Sequence, residues 1–320
     1  MRLGFAVKVL GDGGLPSHDT RRWQSGPHLR VSLERLSRIL DYCDARDIRM
    51  YRMATALAPY ASHPELTQFR HQPRECAEEL ERAGRRAREL DIRLSTHPGQ
   101  YTVLNSEDAG TARVAVEELE VQAEILDGMR LGPESVVVLH VGGVAGGVDA
   151  ALDRFERGFA LLSDAARNRV VVENDDRHFG LGDVLRLGER IGRPVVWDVL
   201  HHHCHDPAGI PDREALSLAL ATWPEGVRPK IHFSSPKTAV DERRRRVGRR
   251  VERSLVLPQL RAHADLVDPI ALEHFLRETA RGLSFDVMFE AKAKDLALLR
   301  VREQLAARGV WAPAGGTAAA

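Results

Sequence analysis

The sequence predicts an α/β fold, a closed (β/α)8 TIM barrel, on three observations. Short runs rich in β-branched residues recur along the chain, a longer amphipathic segment follows each of them, and a histidine or carboxylate stands at the end of most. Parallel strands covered by helices produce this pattern, and eight alternating units favour a closed barrel over an open sheet. At 320 residues with 43% hydrophobic content, the chain can bury one core of that size.

Taken in order, the strand candidates lie at 3–7, 48–53, 92–96, 136–139, 170–172, 194–197, 230–234 and 285–289. Between the first two, residues 29–46 place Leu29, Leu33, Leu36, Ile39, Leu40 and Cys43 on one helical face, with arginine and glutamate on the other. Residues 77–90 and 115–126 repeat the pattern. No GxGxxG follows the first strand, which argues against a dinucleotide-binding unit and a nucleotide cofactor. An arginine-rich insertion at 241–262 interrupts the repeat after the seventh strand, where a solvated, partly helical surface is expected. The reading is therefore one barrel domain over 1–310 carrying that insertion, and a small, Gly- and Ala-rich flexible tail over 311–320.

Composition excludes several classes. The formal net charge is zero, so a polyanion would have to be met by local clusters of basic residues. Cys43, Cys76 and Cys204 are far apart and form no CxxC pair, which disfavours a disulfide framework or a structural zinc site. No apolar stretch is long enough to span a bilayer, and none opens the chain. A cytoplasmic monomer with no membrane partner is the expectation.

The chemistry lies at the strand ends. His97, His140 and Glu173 follow the third, fourth and fifth strands, Asp198 closes the sixth, His232 sits within the seventh, and Glu290 ends the eighth. In a barrel these ends converge on one mouth. So many ionisable groups cannot share a low-dielectric site without compensation, and bound cations supply it. Imidazole mixed with carboxylate suits Mn²⁺, Zn²⁺ or Fe²⁺ better than Ca²⁺, and the donors outnumber what one ion takes. The run His201-His202-His203-Cys204-His205 cannot converge on one ion, because adjacent side chains point apart. His201, three residues after Asp198, is the member expected to face the mouth. His202, His203 and His205 read as surface or loop-stabilising residues.

These residues resemble those of the UV damage endonucleases, DNA-repair enzymes with a barrel fold. The resemblance runs in order through Ser62-His63-Pro64, Thr96-His97-Pro98-Gly99-Gln100-Tyr101, Leu139-His140-Val141-Gly142-Gly143, Glu173-Asn174-Asp175, Asp198-Val199-Leu200-His201-His202, Pro229-Lys230-Ile231-His232 and Glu290-Ala291-Lys292. It implies that His97, His140, Glu173, Asp198, His201, His232 and Glu290 hold two or three divalent ions, manganese first, with zinc or magnesium as alternatives. It adds His63 and His263 to that set. Lys230 is implied to lie beside the ions, where a desolvated lysine can lose its proton or become carboxylated, and Lys230, Glu173 and His97 are the residues expected at the chemistry. Gln100 and Tyr101 are implied to probe the duplex at the lesion. Two positions depart from the pattern: Phe5 stands where the family often has tyrosine, and Val9 where an asparagine is expected.

The function expected from this resemblance is hydrolysis of the phosphodiester immediately 5′ to a damaged site in double-stranded DNA, in association with the nucleoid. Arg243, Arg244, Arg245 and Arg246 are placed to neutralise phosphates on the duplex flank. Two other readings stay open on the residues. Abasic-site endonucleases and sugar isomerases use similar donors on the same barrel. A noncatalytic protein that binds damaged DNA would keep the surface while losing donors.

Overall fold

The computed structural model describes residues 1–248 and 250–311. Eight parallel strands alternate with helices, as the periodicity predicts. The chain runs β1 (Leu3–Ala6), α1 (Leu29–Asp44), β2 (Met50–Arg52), α2 (Gln72–Glu75), α3 (Ala77–Glu89), β3 (Arg93–Ser95), α4 (Ala109–Gly128) and β4 (Val137–His140). It continues through α5 (Val148–Phe159), α6 (Asp164–Arg169), β5 (Val170–Glu173), α7 (Leu181–Ile191), β6 (Val195–Val196), α8 (Val199–Cys204), α9 (Asp212–Ala221) and β7 (Lys230–Phe233). After β7 come the hairpin strands β8 (Asp241–Val247) and β9 (Arg250–Val256), then α10 (Pro269–His274), β10 (Asp286–Phe289) and α11 (Lys294–Ala307). The α1 face that is buried contains all six apolar positions read from the sequence, joined by Ser32 and Tyr42.

Two sheet segments close into the barrel. One has the order β3-β2-β1-β10-β7 and the other β4-β5-β6. Single parallel bridges join them at Thr96 with Val137 and at Asp198 with His232. Both seams therefore lie at, or next to, residues singled out by their strand-end chemistry. Single bridges suffice because Thr96 exchanges amide hydrogen bonds with Val136 and Val138, and His232 donates its amide to Trp197.

Strand alternation sorts the side chains into two cores. Val137, Leu139, Val170, Val172, Val195, Ile231 and Phe233 join the large cluster between barrel and helices. Val136, Val138, Val171 and Val196 form a small separate cluster with Trp223. Those inner positions lie two or four residues before His140, Glu173 and Asp198, so the same parity aims the polar residues into the barrel. At the opposite end, Asp286 is fully buried between Arg93, Arg2 and Arg228, at 3.1, 3.3 and 2.9 Å. This charge cluster plugs the bottom of the barrel, and the open end is left for the site.

The arginine-rich insertion is not helical. Residues 241–247 and 250–256 pair as an antiparallel ribbon whose described side chains are exposed. The two strands satisfy their backbone groups by pairing with each other across the ribbon. The predicted flexible tail lies outside the described residues from 312 onward, as does Arg249.

Candidate metal centre

Glu173 is the hub of the mouth. Its Oε1 lies 2.8 Å from His232 Nδ1 and 3.7 Å from His201 Nδ1. Its Oε2 lies 2.9 Å from His97 Nε2 and 3.7 Å from His140 Nε2. Glu290, at the end of β10, extends the cluster. Its Oε1 is 3.4 Å from His232 Nδ1, and its Oε2 is 3.8 Å from His263 Nδ1. The imidazoles form a continuous chain of neighbours, His232, His97, His140, His201 and His263, with successive ring centroids 5.0 to 5.9 Å apart.

Asp198 reaches the site by a different device. It caps α8, accepting the His201 amide at 2.8 Å, so the cap and the helix phase together fix both side chains. The histidine run that resists reading as a loop is thus one turn of helix. His201 enters the cluster, and its Nδ1 is 3.0 Å from the Asn174 carbonyl. His202 packs edge-on against Trp197 with its Nε2 at 2.8 Å from the Ile210 carbonyl, while His203 pairs with Asp212 at 2.9 Å. Both therefore stabilise local structure, as expected.

Three groups of donors lie close enough together to share an ion: His97, His232 and Glu290; His97, His140 and Glu173; and Glu173, Asp198 and His201. Shared members make this one connected centre. A second observation supports the fit. Asp198 Oδ2, His232 Nε2 and His140 Nδ1 are buried without a hydrogen-bond partner, and Glu173 Oε2 has only the His97 ring nitrogen at 2.9 Å. Orphaned polar atoms are costly in a native interior, and the free Asp198 oxygen within a donor cluster marks a place where another species completes the bonding.

The electrostatics follow from that crowding. Burial pushes His97 down to about 4, outweighing its contact with Glu173. His201 is buried too, but Asp198, Glu173 and Glu290 hold it up at about 9. Against burial, His232 and His140 keep Glu173 well below the usual carboxylate range. Glu290 is likewise held low against burial, chiefly by Arg52 and then His232.

The remaining predicted residues fall at different distances. His263 joins the centre, with its Nδ1 2.7 Å from the Glu290 carbonyl. His63 stands in the loop after β2; its Nδ1 accepts the amides of Glu65 and Leu66, and it is in none of the three donor groups. Lys230 is fully buried, two residues before His232 on β7 and therefore one layer deeper, and its Nζ donates to Ser95 Oγ at 3.1 Å. Burial first, then the Arg93 and Arg52 guanidiniums, pushes its amine well below the lysine range. Gln100 lines a cleft of about 340 Å³ with His140, Asp175 and His201, while Tyr101 on the same turn is 84% exposed. Arg243, Arg244, Arg245 and Arg246 are exposed on β8. Phe5 and Val9 are buried instead of facing the mouth; the Phe5 ring packs 5.3 Å from Tyr51.

Two contributors escape the sequence reading. Arg52, at the end of β2, forms an ion pair with Glu290. A charged residue ending an apolar strand was its signal, the same one that marks His140 and Glu173. Asn174 joins β5 to β6, accepting the Asp198 amide at 2.8 Å and donating to the Asp198 carbonyl at 3.0 Å. In sequence it is only the residue after a ligand candidate.

Comparison with known proteins places the whole assembly. The family described as UV-endonuclease UvdE matches residues 29–317. A UV DNA damage endonuclease of Halalkalibacterium halodurans is 33% identical, over 87% of this chain and 81% of that protein. One from Bacillus velezensis is 33% identical over 90% and 84%. A Clostridium perfringens relative of the same description is 29% identical, and the match spans 61% of its length. Among solved structures, SacUVDE superposes with a TM-score of 0.82 at 28% identity, over 97% of this chain and all of that one. A D-tagatose 3-epimerase-like protein, 13% identical with a TM-score of 0.56, shares the barrel alone. The extent of the family match and the shared architecture lead to one conclusion: this chain belongs to the UV-endonuclease UvdE family.

Proposed function

We propose that this DNA-repair endonuclease hydrolyses the phosphodiester immediately 5′ to UV photoproducts in duplex DNA, using two or three divalent ions, with manganese the first candidate. The observation that carries the reading is the Glu173 hub, where four imidazoles surround one buried carboxylate and the neighbouring Asp198 keeps a buried oxygen without a partner. His97, His140, Glu173, Asp198, His201, His232 and Glu290 would hold the ions, with His263 beside Glu290 and His63 contributing from the β2 loop. Bound there, divalent ions supply water activation and charge neutralisation on the leaving oxygen.

The side chains supply the rest. Glu173 and Asp198 provide buried negative charge on rigid strand ends, and Asn174 fixes their spacing. Arg52 balances Glu290 and offers a guanidinium at the rim for a phosphate oxygen. Gln100 and Tyr101 sense distortion, because an exposed aromatic ring beside an amide can stack into space left by displaced bases. Lys230, buried with its amine held well below the lysine range, is available for carboxylation, which intact mass under native conditions would register as one added carbon dioxide.

Nicking of a UV-irradiated duplex, measured with added Mn²⁺ beside abasic DNA and free ketoses, tests the assignment. Photoproduct cleavage is expected, and Glu173→Gln should lower it by at least about 100-fold while depleting bound metal. Cleavage of abasic DNA alone, or ketose turnover, would reject photoproduct incision.

A further inference from the structure

The family match leaves the arginine-rich insertion without a role, and its geometry points to one. We propose that the β8–β9 hairpin enters a groove of the undamaged duplex flank as a two-stranded ribbon, with Arg244, Arg246 and Arg253 facing the DNA. This rests on the reading that the chain acts on duplex DNA.

Four observations carry it. Among the described residues the ribbon buries neither face, so their packing does not account for its presence; an unsupported two-stranded hairpin is marginal in water. Between Asp241 and Val256 the sequence places seven arginines against three carboxylates in a chain of zero net charge, which concentrates positive charge on this one projection.

The register then separates two unlike faces. Glu242 pairs with Leu255, Arg244 with Arg253 and Arg246 with Val251. Like charges placed directly opposite destabilise a ribbon, and Arg244 and Arg253 share the single acid Glu242, at 2.8 and 3.6 Å. Phosphate or guanine-edge acceptors between them would turn this repulsion into bidentate contacts. Leu255 and Val251, 79% and 59% exposed, stand beside them as apolar surface suited to thymine methyl groups. On the opposite face, Arg243 stands across from Ser254 and Arg245 from Glu252, so no two arginines meet there.

Finally, the ribbon is rooted at the centre. Below the hairpin, Pro236 bridges His263, Lys237 donates to the Ala262 carbonyl and Ala264 to that of Ser235. His263 in turn touches Glu290, and Arg261 reaches Asp176 at 3.3 Å in the loop after β5. Seven residues per strand span about 23 Å, roughly seven base-pair rises, and a two-stranded ribbon fits the major groove.

The test compares two triple variants that remove equal charge. Arg244→Gln/Arg246→Gln/Arg253→Gln strips the proposed inner face, and Arg243→Gln/Arg245→Gln/Arg250→Gln the outer. Anisotropy is read on a photoproduct duplex across a salt series, with heparin in a parallel arm. The inner triple should lose at least about tenfold in affinity and flatten the log–log salt slope by about 2 to 3, while the outer triple stays within about twofold. Arg244→Lys/Arg246→Lys/Arg253→Lys should retain the slope, which separates lost charge from an unfolded ribbon. Equal losses from both triples, no loss from either, or the same asymmetry on heparin overturns the proposal. Wild-type protein that binds with the asymmetry but never nicks overturns the endonuclease reading and leaves the ribbon standing. Nicking with symmetric triples does the reverse.

Discussion

At the scale of single residues, Asp19 organises the loop between β1 and α1. Its fully buried carboxylate takes Arg21 in a fork at 2.6 and 2.9 Å and accepts the His28 amide at 3.0 Å, while its own amide donates to Ser32 Oγ at 2.9 Å. The Arg21 contact, opposed by burial and reinforced by backbone amides, lowers Asp19 to about 2 from an ordinary 3.8. Because the folded value lies below the unfolded one, this stabilisation is complete above about pH 4 and is lost as pH falls through about 2. A shift of that size corresponds to about 2 kcal/mol. Urea unfolding should therefore show Asp19→Asn costing about 2 kcal/mol at pH 7 and about half of that at pH 3. An equal cost at both pH values would mean that packing, and not the charge, holds the loop. Nothing in the sequence distinguishes Asp19 from any other loop aspartate. Its importance comes from partners 2 to 13 residues away that only the folded loop assembles.

At the scale of elements, the strands were legible because each carries a short β-branched run, and their ends were legible because ionisable residues interrupt apolar ones. His140, Glu173 and Asp198 follow Val138, Val171 and Val196 by two positions, so a period of two already aims them inward. The barrel seams were not legible. Closure at Thr96–Val137 and Asp198–His232 depends on backbone bonds between strands that no local pattern pairs. Asn174 belongs to that hidden layer, since its amide bonds both backbone groups of Asp198. Removing it leaves the buried Asp198 N–H unsatisfied, a cost of about 1 to 3 kcal/mol, while the Asp198 carbonyl keeps the His202 amide at 3.0 Å. Asn174→Ala should accordingly lower the melting temperature and weaken metal binding by about 10- to 100-fold, since Asp198 loses its fixed position. Calorimetry with and without metal measures both. A variant with unchanged metal affinity would show that capping of α8 alone positions Asp198. The insertion was misread for a related reason: a run of arginines carries no apolar period, so composition could not tell a solvated helix from a ribbon whose strands pair with each other.

At the scale of the whole molecule, the barrel concentrates charge at both ends with opposite outcomes. At the bottom, Asp286 meets three arginines and both of its carboxylate oxygens find partners within the protein. At the mouth, Glu173, Asp198 and Glu290 face imidazoles, yet Asp198 Oδ2 stays buried without a partner. A centre built this way stores a penalty that a bound cation relieves in the native state and that the unfolded chain does not feel. Metal should therefore act as a stabilising ligand of the fold. Free ion at 100 times its dissociation constant contributes about 2.7 kcal/mol at a single site, and more where several sites fill. Scanning calorimetry should show the melting temperature rising by several degrees on adding Mn²⁺ to chelator-treated protein and returning with chelator. In Glu173→Gln the hub charge is gone, so the response to metal should shrink sharply although the variant still folds. The bottom plug supplies the control: Arg228→Gln, partly exposed at the far end, should lower the baseline melting temperature and leave the metal-induced rise intact. If the rise were the same in Glu173→Gln as in the unaltered chain, the ions would be binding elsewhere, and the strand-end cluster would be a polar core without its cation.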